Sequence, residues 1–396
     1  MISPPALHLL WLYDGMLSES LDAATWLETT RELRSLGWHV TLVVAGPSGK
    51  NNIHGVEVYS IPFPDIYLIR KAVYHLFFLS LLFLKWRKVD VILFHPISAI
   101  WFIPYYLFCK LFKSRRPLLV MDIRSMHMPQ LEKQKFKDKL RDMYQRFIIQ
   151  RAYLWTDGYL AITKRMAEAL EVPPQHLLGV WPSGVDFALF NSAQKKRNWP
   201  GAGGPITLIY VGALHYERNL MSLCKAVEMA DAEGMAFKLI LIGDGDERKA
   251  LEEFAETTSG RVCVLQPVPH NQVPDILADA HIGVLPFPDE EKYRVSSPIK
   301  LFEYMAAGLP ILATRVVCHT DVIGDGDYVF WAEQSDVSGL LEALCLAWSK
   351  CEDLPEMGAK AALASQAWTW RESALKIQAA LESGLQANHW LIPIRE

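Results

Sequence analysis

The sequence predicts an α/β protein of two doubly wound domains, and three observations carry that expectation. Short apolar runs alternate with longer helical patterns from residue 6 to residue 285, as repeated strand–helix units of a parallel sheet do. A polar stretch at 191–205, NSAQKKRNWPGAGGP, interrupts the series and reads as a linker. The length, 396 residues, suits two domains of ordinary size.

The elements follow in order. An apolar run at 6–13 (ALHLLWLY) gives the first strand, with a helix near 18–35 behind it. Strands at 39–45 (HVTLVVA) and 56–61 (VEVYSI) are rich in β-branched residues. A helix near 67–87 leads to a strand at 89–94, and a helix near 100–113 to a strand at 118–123 (LLVMDI). A long helix near 131–154 and strands at 158–162 and 177–180 complete the first half. After the linker come strand 206–211 (ITLIYV), helix 220–233, strand 238–242, helix 247–257, strand 262–265, helix 273–278 and strand 282–285. At 296–314 (SSPIKLFEYMAAGLPILAT), Ser297 and Pro298 open a helix expected to reach Ala307. Gly308 ends it, Pro310 prevents its resumption, and a strand at 311–313 follows. The chain closes with helices at 337–349 and 356–386.

The bulk properties exclude some functions. The net charge of −4 argues against a nucleic-acid partner. Six cysteines form no CxxC pair and lie mostly in or beside apolar runs, as buried free thiols of a reducing compartment do. The opening residues lack a basic n-region and contain Asp14, so a cytoplasmic location is expected. Runs at 72–86 (AVYHLFFLSLLFLKW) and 99–112 (AIWFIPYYLFCKLF) are too short to span a bilayer. Their aromatic content and cationic borders suit peripheral contact with the inner face of a membrane, although core helices would explain most of each run. Seven cations against three acids in 131–151 read as a solvated face, or as a surface for anionic lipid.

The segment 296–314 carries the most chemistry. A helix start offers free N–H groups and a positive dipole end to an anion. Lys300 adds a cation in the first turn, where an acid is the usual choice, and Glu303 lies on the same face three residues later. That pairing suits a ligand with phosphates at one end and a diol nearby. The plainer reading is a surface ion pair worth about 0.2–0.5 kcal/mol. Elsewhere, the acids of 243–246 and 324–327 flank glycines, which marks turns rather than metal sites. His95, Asp122 and Arg124 sit at strand ends, where ligands bind in such sheets, though a core histidine and a buried Asp–Arg pair would account for them equally.

The segment resembles the nucleotide-sugar motif of GT-B glycosyltransferases, in the large, mostly retaining group that includes bacterial polysaccharide and glycolipid transferases. Supporting matches are Pro182-Ser183-Gly184-Val185-Asp186 with Phe190, Tyr210-Val211-Gly212 followed by Glu217-Arg218, Leu241-Ile242-Gly243-Asp244-Gly245, and Trp370 at the start of the last helix. In the first half, 36–46 (LGWHVTLVVAG) and Phe94-His95-Pro96 are similar to the second strand and the histidine loop of that group. The resemblance implies a GT-B fold: two Rossmann-like domains, at 1–190 and 206–373, facing a central cleft, with a last helix at about 374–396 returning to the first domain.

It also implies a donor site of Gly212, Arg218, Val268, Ser296, Ser297, Pro298, Ile299, Lys300 and Glu303, with Glu303 on the ribose hydroxyls. Lys300, Arg218 and His95 are the catalytic candidates; Gly15, Asp122 and Arg124 fall on the acceptor side. Neither a cofactor nor an essential metal is implied. The partners are a nucleoside diphosphate sugar and a glycan or lipid-linked acceptor. Three departures stand out: Val295 replaces the group's first glutamate, Ala213 replaces a frequent arginine, and Gly15 alone remains of a glycine pair. A nucleotide-sugar epimerase of the same fold, or a silent partner subunit, are the alternatives.

Overall fold

A computed structural model describes residues 6–17, 23–53, 55–62, 67–84, 88–125, 136–201 and 203–387. The chain divides into two compact units. The first runs to Pro182 and resumes at Trp370; the second is Ser183–Thr369. The division thus falls earlier than the expected residue 190, and the stretch 191–205 is no free linker. Phe187–Lys196 form a helix whose first turn is capped by Asp186, which accepts from Leu189 N at 3.0 Å. Arg197, the last of three consecutive cations, is buried. Its guanidinium donates to the carbonyls of Leu277, Ala280, Ala307 and Gly308 at 2.7–2.9 Å. Those carbonyls lie at the ends of helices Val273–Leu277 and Ile299–Ala306, where a cation suits the dipole.

The sheet of the first unit contains β1 (His8–Tyr13), β2 (His39–Ala45), β3 (Gly49–Ile53), β4 (Val56–Ile61), β5 (Val91–Phe94), β6 (Leu118–Ile123), β7 (Gly158–Ala161) and β8 (Leu177–Val180). Their order is β3-β4-β2-β1-β5-β6-β7-β8, parallel except for the β3–β4 hairpin. The sequence did not announce β3, because GKNNI is a polar, exposed edge strand with no apolar alternation. β1 lies between β2 and β5, so the connections change direction there. Ligands bind at the carboxyl ends of strands beside such a point. Asp14-Gly15 and His95 occupy those ends.

The final stretch is two helices rather than one, Leu354–Ser365 and Trp370–Ala387. The latter returns to the first unit, four residues earlier than expected. Ala374, Ile377 and Leu381 are buried in the same core as Leu118, Leu160 and Trp181. Gly179 allows this approach, since a Cβ there would stand 2.7 Å from that of Ala380. The described part of the long basic helix is Phe136–Arg151; residues 131–135, like 18–22, lie outside the described residues.

The second unit holds β9 (Ile206–Val211), β10 (Phe237–Ile242), β11 (Val262–Leu265), β12 (Ile282–Leu285), β13 (Ile311–Thr314) and β14 (Val329–Ala332). Their order is β11-β10-β9-β12-β13-β14, and every pairing is parallel. Here the reversal falls between β9 and β12, which places the loops after Val211 and Leu285 at the binding edge.

The two apolar runs are split between core and surface. On helix Tyr67–Leu84, Tyr74, His75, Phe78 and Leu82 are buried, whereas Leu76, Phe77, Phe83 and Leu84 are exposed. His75 bonds Ser98 Oγ at 2.9 Å and stacks on Trp101. On and just after helix Phe102–Leu111, the large apolar side chains of Leu107, Phe108, Leu111 and Phe112 are exposed. Among the described residues, no helix is long and apolar enough to cross a membrane.

Candidate active site

The helix Ile299–Ala306 begins beside the reversal point of the second sheet and is the centre of the site. Pro298 occupies its cap position, and among the described residues no side chain caps its first N–H groups. Ser297 was the expected cap. Its Oγ instead accepts from Ser183 N at 3.0 Å, joining the PSGVD turn to the SSP turn. The helix start therefore keeps donors for an anion. Gly308, at φ +68°, ends the helix in the left-handed region.

Glu303 is 2% exposed, far from the surface pair of the plainer reading. Lys300 Nζ donates to its Oε2 at 2.7 Å, and His270 Nε2 lies 3.0 Å from its Oε1. Burial opposes ionisation of this carboxyl, but Lys300 and His270 outweigh it and hold its pKa below the ordinary value. The carboxylate is thus fixed as an acceptor of hydrogen bonds, suited to vicinal hydroxyls.

Arg218 lies in the turn Tyr216–Arg218 after β9. Its chain neighbour Glu217 pairs instead with Lys292, at 2.5 Å. The Arg218 guanidinium sits over the rings of Phe287 and Tyr293, at 4.9 and 5.3 Å from their centroids. Such stacking holds the planar fork while leaving its edge to a phosphate. Tyr293 donates to Glu217 O at 2.7 Å, and Ser296 Oγ donates to Tyr293 O at 2.9 Å. This links the Arg218 turn to the segment before the helix. Asn219, unforeseen from the sequence, adopts φ 60°, ψ 33° and donates to the carbonyls of Pro286 and Ser335. A non-glycine residue in this region marks a constrained loop.

Gly212 and Gly243 allow the loops after β9 and β10 to touch: a Cβ on Gly243 would stand 1.7 Å from Gly212 O. Asp246 accepts from Tyr216 N at 3.2 Å and pairs with His215 at 3.0 Å, so it fixes the loop before Arg218. Val268 lies after β11, two residues before His270.

The other candidates belong to the first unit. His95 follows β5, and burial lowers its pKa to about 4 against the attraction of Asp14, so the ring is neutral near pH 7. Asp14 pairs with Lys71 at 2.5 Å beside Gly15. Asp122 and Arg124 meet through a third residue: Trp181 Nε1 donates to Asp122 Oδ1 at 2.9 Å, and Arg124 lies over the Trp181 ring at 3.6 Å. Burial raises the Asp122 carboxyl to about 6, opposed by Arg124. His270 was absent from the sequence-derived candidates. No local pattern ties it to Glu303, 33 residues away.

Residues 205–350 match the family model described as Glycosyl transferases group 1, and residues 23–189 match that described as Glycosyltransferase Family 4. The phosphatidyl-myo-inositol mannosyltransferase of Mycolicibacterium smegmatis is 27% identical over 164 residues, covering 41% of this chain and 41% of that protein. The aligned stretches span less than half the length of the curated relatives. Among solved structures, the sucrose-phosphate synthase of Thermosynechococcus elongatus superposes with a TM-score of 0.74 at 16% identity, covering 96% of this chain and all of that one. The Anabaena protein HepE in complex with UDP-glucose gives 0.68 at 14% identity, covering 95% and 100%. The fold is GT-B.

Proposed function

We propose that this chain, which carries group 1 and family 4 glycosyltransferase domains, moves a sugar from a nucleoside diphosphate to a glycan or lipid-linked acceptor. The observation that carries the reading is the uncapped helix start with Lys300 in its first turn and a buried, ionised Glu303 on the same helix. The helix N–H groups, Lys300 and Arg218 receive the diphosphate, and Glu303 receives the ribose diol. In the transfer, the bond from the anomeric carbon to the diphosphate oxygen breaks and a bond to the acceptor hydroxyl forms. The acceptor proton passes to the departing diphosphate oxygen on the same face, which gives retention. Charge grows on the diphosphate as the bond breaks, so Lys300, Arg218 and the helix start stabilise the transition state more than the ground state. Gly15, Asp122 and Arg124 belong to the acceptor side, and His95 to the catalytic groups, all in the first unit.

A thermal-shift screen of nucleotide sugars, followed by product analysis with lipid and glycan acceptors, tests this reading. At least one donor stabilises the protein and yields a glycosylated product, and EDTA leaves the rate unchanged. Loss of activity on chelation, restored by a divalent ion, would contradict the metal-free reading.

The acceptor reading extends to a membrane surface on the cytoplasmic side. The exposed apolar residues of helices Tyr67–Leu84 and Phe102–Leu111 are joined by ring contacts of Phe83 with Tyr105 and Phe108. Leu84 and Leu111 are 77% and 76% exposed. Exposed Lys88, Lys110 and Lys113 flank this patch, and Phe136–Arg151 adds Lys139 and Arg141 beside exposed Leu140 and Phe147. Apolar side chains edged by cations suit an anionic lipid interface. In liposome flotation, the protein rises with anionic vesicles and less so at high salt. If it stays at the bottom with both neutral and anionic vesicles, a soluble acceptor replaces the lipid-linked one.

A further inference from the structure

Each oxygen of the Glu303 carboxylate already has a partner, Lys300 on Oε2 and His270 on Oε1. A diol arriving at this carboxylate must share with one partner or displace it. The two are not equivalent. Lys300 shares the helix of Glu303 and stands in its first turn, where an incoming diphosphate draws the ammonium away. His270 comes from another element, the turn His270–Gln272 that follows β11. Its ring packs on Phe190 at 5.4 Å between centroids, and Phe190 is fully buried. An ionised carboxylate only accepts, so Nε2 of His270 carries the hydrogen in this contact.

We infer that His270 is a positioning residue for donor binding: it keeps the Glu303 carboxylate aimed at the ribose when Lys300 turns to the diphosphate. Phe190, the last residue of the PSGVD…F motif, holds the imidazole in place for that task. The inference rests on the assignment of Glu303 to the ribose in the proposed function.

The test compares wild type, His270→Ala, His270→Gln, Glu303→Gln and the His270→Ala/Glu303→Gln double variant. Calorimetry uses whichever of UDP, GDP and ADP the wild type binds most tightly, with Tm measured in parallel. His270→Ala is expected to weaken binding about 10-fold or more, as the loss of one hydrogen bond to a charged group does. It raises KM for the donor more than it lowers kcat. His270→Gln, whose Nε2 can donate from a similar position, recovers most of the loss. The double variant binds no more weakly than Glu303→Gln alone, because the two act through one carboxylate. If His270→Ala binds like wild type while Glu303→Gln is weakened, the positioning role is overturned and the ribose assignment stands. If Glu303→Gln also binds like wild type, the ribose assignment itself falls. Equal losses in the alanine and glutamine variants, with a lowered Tm in both, would make the ring a packing element and overturn the inference.

Discussion

Lys300→Ala and Arg218→Ala are each expected to lower kcat by about 10²- to 10³-fold, the usual effect of removing one preorganised stabiliser of developing charge. Neither side chain is part of the apolar core. Lys300 is half-buried at a helix start, and Arg218 rests on the faces of Phe287 and Tyr293. Folding should therefore survive both changes, with Tm within a few degrees of wild type. The rate falls more than the donor affinity, since the diphosphate gains charge only as the sugar leaves. Arg218→Lys should recover little, because a point charge cannot reproduce the flat fork stacked on two rings. Steady-state kinetics with the donor found in the screen checks this. Near wild-type rates in both alanine variants would remove these cations from the mechanism.

Arg197→Met is expected to have the largest effect on stability, a loss of about 3–5 kcal/mol and roughly 10 °C in Tm. The guanidinium fills four carbonyl bonds at 2.7–2.9 Å in a buried place, and methionine fills none of them. Burial lowers the Arg197 pKa only to about 10, so the side chain remains a cation at neutral pH and suits the two helix ends it meets. The change also loosens the carboxyl end of Ile299–Ala306, the helix that bears Lys300 and Glu303. Arg197→Lys should fall between the two, since one ammonium cannot reach four carbonyls at once. Thermal and urea denaturation measure the effect. A loss under about 1 kcal/mol in Arg197→Met would mean that water satisfies those carbonyls without cost.

The fold was legible because parallel strands covered on both faces read as unbroken apolar runs, such as ITLIYV and LLVMDI. The motif helix was legible because Pro298, Gly308 and Pro310 mark its limits by local geometry alone. What local pattern could not show lay in long-range partnership. Arg197 read as part of a polar linker, yet its partners are 80–111 residues away. His270 reaches Glu303 across 33 residues. Ser297 read as a helix cap until Ser183, 114 residues distant, claimed its hydroxyl. Helix Phe187–Lys196 was hidden by the polar composition around it, although its cap, Asp186, stood in the PSGVD motif. Edge strand β3 was missed for the opposite reason, since it has no apolar face to betray it.

The most direct test of the donor site is calorimetric titration of wild type and Glu303→Gln with UDP, GDP and ADP. The wild type should bind at least one of the three. Glu303→Gln should bind that nucleotide ten-fold or more weakly while unfolding at a similar temperature, because a neutral amide replaces the buried acceptor of the ribose diol. Equal affinity in the two proteins, or no binding of any nucleoside diphosphate by the wild type, would contradict the donor site described around Lys300 and Glu303.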